Sequence, residues 1–173
     1  MNKYLVTGLI VVAVIGVVLF LVNQDSGVTA DSQGSDFDAF AGASLIDYEG
    51  NEVSLEDFRG TPVVINSWAV WCPFCVKELS AFADLQKEFD DQITVIAIDR
   101  QEPLSKAKEF TDKLGITNDM LFLLDPSDSF YKSIGGFSMP ETLFVNSSGE
   151  IVVHKRGPME LEEMREHVNK IME

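Results

Sequence analysis

Both cysteines of this 173-residue chain lie in the stretch Trp68-Ala69-Val70-Trp71-Cys72-Pro73-Phe74-Cys75. A strand pattern precedes this stretch, and a helix pattern begins at Pro73. On the first turn of a helix, side chains three positions apart are neighbours, so two sulfur atoms can form and break a bond with little backbone movement. The unpaired N–H groups at a helix N-terminus also favour a thiolate. The spacing therefore predicts a redox-active cysteine pair.

Two other interpretations of the cysteines are half of a zinc site and a pair of ordinary buried thiols. A structural zinc ion needs four ligands, and His154 and His167 have neither the spacing nor the cysteine partners of a zinc finger or ribbon. We therefore favour redox chemistry over both alternatives, and we expect no metal and no cofactor.

Short apolar runs alternate with stretches of helical periodicity along most of the chain. A turn at residues 48–51 predicts an N-terminal β-hairpin, and residues 63–65 predict a buried central strand. Further strands are predicted at 93–98, 121–124, 142–145 and 151–154, and helices from 73, at 103–114, at 127–134 and after 158. This order predicts an α/β fold with a mixed central sheet and helices on both faces. Chemistry in such sheets collects at the carboxyl ends of the parallel strands, where Cys72 follows the central strand.

The N-terminal segment differs in composition from the rest of the chain. Residues 5–22 carry no charge and, as a helix, would span about 27 Å, close to the hydrocarbon thickness of a bilayer. Lys3 precedes this run and acidic residues follow it, which predicts a cytoplasmic N-terminus. A cleaved signal peptide ending near 28–30 is the alternative, but the long apolar run favours an uncleaved anchor. We therefore expect a single transmembrane helix in residues 1–22, with the remaining chain on the extracytoplasmic side of the cell membrane.

The residues after the apolar run predict a flexible linker and one further domain. Residues 23–36 are rich in Ser, Gly, Asp and Gln, and residues 37–173 have the size of a single domain. The net charge is −15, with acidic residues scattered over the chain. This charge indicates a solvated surface and argues against nucleic acid as a partner. The apolar run has no Gly-x-x-x-Gly pattern that would favour dimerisation, so we expect a monomer.

Three motifs resemble those of the thioredoxin superfamily, and within it the membrane-anchored TlpA-like and ResA-like thiol-disulfide oxidoreductases, including those of cytochrome c maturation. The motifs are Asn66-Ser67-Trp68-Ala69-Val70-Trp71-Cys72-Pro73-Phe74-Cys75, Gly135-Gly136-Phe137-Ser138-Met139-Pro140-Glu141-Thr142 and Asn146-Ser147-Ser148-Gly149-Glu150-Ile151. The resemblance implies a thioredoxin-like fold. It also implies that Cys72 is an exposed attacking thiol and Cys75 a more buried resolving thiol.

The same resemblance implies a substrate-binding region around the cysteines. It predicts a cis peptide bond before Pro140 and pairing of the substrate backbone with the residue before this proline. Met139 would then contact the substrate through a soft, adaptable side chain. Trp71, Pro73 and Phe74 complete the expected substrate-binding residues. A trans proline that merely opens a strand is the alternative for Pro140.

A proton acceptor for the resolving thiol is not obvious from the cysteine motif. Asn66 stands where thioredoxin has a buried aspartate, and an amide cannot relay a proton. Glu78 is the candidate, because it matches a glutamate near the active site of ResA-like proteins. If burial raises its pKa, Glu78 would deprotonate Cys75 near neutral pH. The alternative is a solvated helix glutamate without a role.

The expected function is reduction of disulfides in exported proteins, such as apocytochrome c or another Cys-x-x-Cys protein. Phe74 offers a thiolate neither a hydrogen bond nor a charge, which indicates a reducing to intermediate couple. Electrons would come from a separate donor in the membrane. The alternatives are an oxidase or isomerase, a peptide-binding module with incidental thiols, and a thiol peroxidase. The peroxidase pattern P-x-x-x-T-x-x-C is absent, because Ile65 and Ala69 occupy its places before Cys72.

Overall fold

The computed structural model describes residues 36–173, which form a seven-stranded mixed sheet covered by helices on both faces. The strands are β1 (Leu45–Asp47), β2 (Glu52–Val53), β3 (Val63–Trp68), β4 (Thr94–Arg100), β5 (Leu121–Asp125), β6 (Glu141–Val145) and β7 (Ile151–Arg156). The helices are α1 (Asp38–Ala41), α2 (Pro73–Phe89), α3 (Leu104–Leu114), α4 (Ser129–Ser133) and α5 (Leu161–Met172), with 3₁₀ turns at Leu55–Phe58 and Asp90–Gln92. The predicted thioredoxin-like α/β fold is confirmed.

The strands lie in the order β2-β1-β5-β4-β3-β6-β7. The three central strands, β5, β4 and β3, are parallel, whereas β6 and β7 are antiparallel on one side and the β1–β2 hairpin is antiparallel on the other. The sequence predicted both the hairpin and the antiparallel β6–β7 pair. It did not predict that β1 joins the sheet as an antiparallel neighbour of β5. Antiparallel strands therefore flank both sides of the parallel centre.

Side chains alternate along β3 between two hydrophobic clusters, one on each face of the sheet. Val64 and Trp68 lie in the cluster under α2, α3 and α5, which also contains both cysteines. Val63 and Ile65 lie in the opposite cluster, with residues of α1 and α4. Every side chain of β3 is buried, as expected for a central parallel strand covered on both faces. The chain then leaves β3 directly into the cysteine motif.

The predicted anchor at 1–22 and all of the predicted linker except Asp36 lie outside the described residues. Within residues 36–173, the helices are all too short or too polar to cross a bilayer. Asp36 begins the described part and is tied to the β6–β7 turn, because its carboxylate accepts a hydrogen bond from the Ile151 N–H at 3.2 Å. The neighbouring Phe37 N–H donates to the Gly149 carbonyl at 3.1 Å.

Candidate active site

The two cysteines meet at the N-terminus of α2. Cys72 is the residue that caps the helix, Pro73 opens it, and the sulfur atoms of Cys72 and Cys75 form a disulfide with an S–S distance of 2.08 Å. The Cys75 N–H donates to the Cys72 sulfur at 3.2 Å. Proline suits this first helical position because its missing N–H would have no partner within the helix. The structure thus confirms the neighbouring pair that the spacing predicts.

Cys72 is less exposed than the resemblance implies. Its exposed fraction is 3%, and Cys75 is fully buried. The bond between the two sulfur atoms explains this, because it holds the Cys72 side chain towards the apolar cluster under α2. The order of exposure is still the expected one, with Cys72 nearer to solvent.

Three exposed apolar residues next to Cys72, namely Trp71, Pro73 and Phe74, form an apolar rim. Trp71 and Phe74 are 56% and 55% exposed, and Pro73 between them is also exposed. Lys77 holds its amino group 5.8 Å from the centre of the Phe74 ring. Large aromatic side chains that remain in solvent around a reactive group are typical of a binding surface. Trp71, Pro73 and Phe74 are therefore accessible to a partner, and their contact with a substrate stays a prediction.

The predicted cis peptide bond between Met139 and Pro140 is confirmed. β6 begins immediately after it, at Glu141, which pairs with Ser67 of β3. The cis proline therefore lies beside the end of β3 that leads into the cysteine motif. Pro140 is buried, and Met139 is half-buried against the cluster that contains both cysteines.

Glu78 lies on the inner face of α2, one turn after Cys75, and is only 3% exposed. Its carboxylate accepts hydrogen bonds from the Asn66 side-chain amide at 3.1 Å and from the Met159 N–H at 2.9 Å. Burial raises the pKa of Glu78 to about 7, although both hydrogen bonds and the Lys155 charge act in the opposite direction. A carboxyl group with this pKa exchanges protons near neutral pH.

Asn66 connects Glu78 to the cis-proline strand. Its amide nitrogen donates both to Glu78 and, at 3.0 Å, to the Thr142 hydroxyl. Asn66 cannot carry a proton, but its hydrogen bond stabilises the charged form of Glu78. It therefore influences the acid–base group without replacing it.

We predict that Asn66→Leu raises the pKa of Glu78. Losing one hydrogen bond to a charged group is worth about 1.5 kcal/mol, which would move the titration midpoint of Glu78 to about pH 8. A carbon-13 NMR titration of the Glu78 carboxyl group measures it. Thr142→Val is the matched control, since it removes the other partner of Asn66 and leaves the bond to Glu78 in place. An unchanged or lower midpoint in Asn66→Leu would contradict the prediction.

Two carboxyl groups that the sequence analysis missed lie on the other side of the cysteine motif. Asp99, near the end of β4, is opposite Trp68, and its carboxylate accepts the Glu102 N–H at 3.1 Å. Glu102 in turn accepts the Val70 N–H at 2.6 Å and so holds the loop before Cys72. Burial, followed by the neighbouring Glu102, raises the pKa of Asp99 well above its usual value. The available signal was an acidic residue at the carboxyl end of a parallel strand.

Phe137 is the second feature that the sequence analysis missed. Although it lies in the quoted motif before Pro140, no role was assigned to it, and the structure leaves its ring 85% exposed. The available signal was an aromatic residue outside any helical or strand periodicity.

This fold and this site define a class of protein. A thioredoxin-like sheet, a Cys-x-x-Cys disulfide at a helix N-terminus and a neighbouring cis proline together characterise thiol-disulfide oxidoreductases of the thioredoxin superfamily. Residues 29–171 match the family model described as Redoxin, and the chain belongs to that family. Its relatives show that it is a TlpA/ResA-like member of the superfamily and a thiol-disulfide oxidoreductase.

Two curated relatives and one solved structure illustrate this similarity. The thiol-disulfide oxidoreductase ResA of Geobacillus thermodenitrificans is 27% identical over 166 residues, which cover 94% of this chain and 91% of the relative. The thioredoxin-like protein YneN of Bacillus subtilis is 28% identical over 149 residues, which cover 84% and 82% of the two chains. The structure of MTB dsbF in its mixed oxidized and reduced forms matches with a TM-score of 0.71 and 23% identity, over 77% of this chain and 97% of that chain. At 23% identity, this structural match supports the fold alone.

Proposed function

We propose that this oxidoreductase is anchored in the cell membrane and reduces disulfides in exported proteins on the extracytoplasmic side. The observation that carries the exchange chemistry of the proposal is the position of the Cys72 sulfur, which caps α2 and accepts the Cys75 N–H. A thiolate at this position is stabilised by the same N–H and by the positive end of the helix. Cys72 is therefore the attacking thiol, and Cys75, which is fully buried, is the resolving thiol.

The reaction transfers two electrons from the dithiol form of the chain to the partner. The Cys72 thiolate attacks one sulfur of the partner disulfide, forms a mixed disulfide and releases the partner's other sulfur as a thiolate. The Cys75 thiol then loses its proton, attacks the Cys72 sulfur and releases the second partner thiolate. The partner leaves as a dithiol after both thiolates take up protons, and this chain leaves with the Cys72–Cys75 disulfide.

Glu78 is the group that accepts the Cys75 proton. It lies three residues beyond Cys75 on the same helix, so the two side chains are neighbours on one face. Its pKa of about 7 means that a substantial part of the carboxyl groups is ionised at neutral pH. The hydrogen bonds from Asn66 and Met159 hold the carboxylate in this position.

The apolar rim and the cis-proline loop support a protein substrate. Trp71, Pro73 and Phe74 offer an exposed apolar surface beside the disulfide, while Met139 and Pro140 line the adjoining strand end. Backbone pairing with the residue before the proline would add the partner as an extended strand. Apocytochrome c or another exported Cys-x-x-Cys protein is the proposed substrate.

The membrane part of the proposal is supported by composition. Residues 1–22 would form the anchor, 23–36 the linker and 37–173 the catalytic domain, acting as a monomer. The chain contains two cysteines, and both are used in exchange with the partner. Electrons must therefore reach Cys72 and Cys75 from a separate donor in the membrane.

The direction of electron flow is tested by equilibrating the purified full chain with thiol–disulfide couples of known potential. Because Phe74 offers no charge or hydrogen bond to the Cys72 thiolate, we expect a potential between about −200 and −270 mV, the range of glutaredoxins and thioredoxin. Quantifying the disulfide form by thiol alkylation measures the potential. A value near −120 mV, typical of a strong dithiol oxidant, would reverse the direction and favour an oxidase.

A further inference from the structure

Glu141 is a fully buried carboxylate at the first position of β6. One of its oxygens accepts the backbone N–H groups of Phe137 and Ser138, at 2.6 and 2.7 Å. The other oxygen lies 2.8 Å from the His154 ring nitrogen, and the Arg156 side chain approaches the first oxygen at 3.4 Å. A buried carboxylate with this many partners fixes the backbone of the loop before the cis proline.

Glu141 lies on the face of the sheet opposite the disulfide. Along β6 it shares a face with Leu143 and Val145, which belong to the cluster around α1 and α4. The intervening Thr142 faces the other way and binds Asn66, on the side of the cysteines and Glu78. Because the sheet separates Glu141 from the sulfur atoms, we expect it to influence the reaction chiefly through the loop that it holds.

The loop has further fixed points besides Glu141. The Tyr131 hydroxyl donates to the Ser138 carbonyl at 2.8 Å, and the Gly136 N–H donates to the Tyr131 carbonyl at 2.8 Å. A side chain at position 136 is not tolerated, because a Cβ atom there would lie 2.3 Å from the Tyr131 ring. Glycine at this position lets the loop pack directly on the ring.

In the described part of the chain, these contacts leave one residue of the loop, Met139, with no hydrogen bond to its backbone. Within the described residues, the backbone of Met139 forms no hydrogen bond, whereas both neighbouring segments are held. The Phe137 ring points into solvent on the same loop. The loop therefore presents the unpaired main chain of Met139 and an exposed aromatic ring just before the cis proline.

The charge of Glu141 strengthens this arrangement. Burial by itself would raise its pKa, but the hydrogen bonds from Ser138, Phe137 and His154 outweigh burial and hold the pKa below its usual value. Glu141 is therefore ionised at neutral pH. Hydrogen bonds to a charged acceptor are about twice as strong as those between neutral groups.

We propose that Glu141 is a positioning residue for substrate binding. Its carboxylate holds residues 137–139 in the shape in which the Met139 backbone pairs with an extended segment of the partner and the Phe137 ring contacts an apolar side chain of that segment. This inference rests on the proposed function. It adds a binding contribution that is independent of the sulfur chemistry.

The test compares two disulfide substrates of the reduced, purified full chain. One is a synthetic peptide with a Cys-x-x-Cys disulfide and apolar flanking residues, and the other is bis(2-hydroxyethyl) disulfide, a linear disulfide that has no backbone to pair. Glu141→Gln keeps the size of the side chain and removes its charge. In single-turnover measurements with the substrate in excess, we expect it to raise the half-saturating peptide concentration, here called KM, about tenfold with the limiting rate constant within about twofold. The effect on the small disulfide should be at least fivefold less.

Two further variants keep the test informative if Glu141→Gln is unstable. Tyr131→Phe removes the hydroxyl that holds Ser138 and should raise the peptide KM in the same direction. Glu150→Gln removes a charge from the exposed β6–β7 turn and should leave both substrates unaffected. Equal effects of Glu141→Gln on the two disulfides, or no effect on the peptide, would overturn the inference. A wild-type chain that reduces neither disulfide would instead overturn the proposed function, before any variant is compared.

Discussion

Replacing Cys75 with alanine should trap the natural partner on Cys72 as a stable mixed disulfide. The first step needs only the Cys72 thiolate, whereas release of the partner needs the Cys75 sulfur, which lies within bonding distance in the wild-type chain. Without that sulfur the intermediate should accumulate, an effect of about 100-fold or more on the amount of adduct. The measurement is non-reducing electrophoresis of cells that express the full chain, followed by mass spectrometry of the adduct.

The matched control is the double replacement Cys72→Ala with Cys75→Ala, which removes both sulfur atoms and should trap nothing. The adduct should sediment with the membrane fraction and dissolve only in detergent if residues 1–22 form the anchor. Adducts formed equally well by Cys72→Ala alone would contradict the assignment of Cys72 as the attacking thiol. An adduct with an exported Cys-x-x-Cys protein would identify the substrate.

Glu78→Gln should slow resolution of the mixed disulfide by about 100-fold at about pH 8, the size of a general-base contribution. In the wild-type chain the resolution rate should rise as the pH increases through about 7, because Glu78 accepts the Cys75 proton only when it is ionised. The variant has no such group, so its resolution rate should not show this rise around pH 7. Stopped-flow measurement of resolution, starting from a preformed mixed disulfide with a chromogenic thiol, gives both quantities.

Stability distinguishes loss of the base from loss of the fold. The pKa of Glu78 rises from 4.5 to about 7 in the folded chain, so the folded state binds the proton more tightly than the unfolded state does. Ionisation therefore destabilises the fold, with no cost below about pH 4.5 and the full cost, roughly 3 kcal/mol, above about pH 7. The uncharged glutamine should make the variant more stable than the wild type at about pH 8.

The control for both measurements is Glu109→Gln, which removes the charge of an exposed glutamate on α3. It should change neither the resolution rate nor its dependence on pH. A Glu78→Gln variant that resolves the mixed disulfide at the wild-type rate across the pH range would contradict the role of Glu78. A slow variant that is also less stable at about pH 8 would indicate damage to the fold instead.

The sequence predicted those features of the site that depend on residues close together in the chain. The Cys72–Cys75 pair and the start of α2 depend on residues within one helical turn, so spacing alone places the two sulfur atoms together. The position of Glu78 on the same helix is equally local. Its degree of burial is not, because the Met159 N–H that binds it comes from the segment just before α5.

The features that the sequence analysis missed depend on hydrogen bonds to backbone N–H groups and on close packing between side chains and backbone. Glu102 holds the Val70 N–H across 32 positions of the chain. Phe137 is exposed because Gly136 packs on the Tyr131 ring and because Glu141 holds the neighbouring backbone. No periodicity of apolar residues contains this information, because a hydrogen bond to a backbone N–H leaves no mark on the residue that donates it.

By itself, the sequence determined the redox chemistry, the mixed α/β sheet and the edge of that sheet at which the cysteines lie, because these follow from local spacing and from the alternation of strand and helix patterns. Only the tertiary structure decided which polar and charged groups lie near the disulfide and what shape the neighbouring loop takes. Contacts between segments far apart in the chain bury Glu78 and bring Asn66 to it, and the pairing of β6 with β3 sets Glu141 behind the loop of Met139. The physical reason is that burial and hydrogen-bond partners, which set a pKa and the shape of a loop, exist only once the chain has folded.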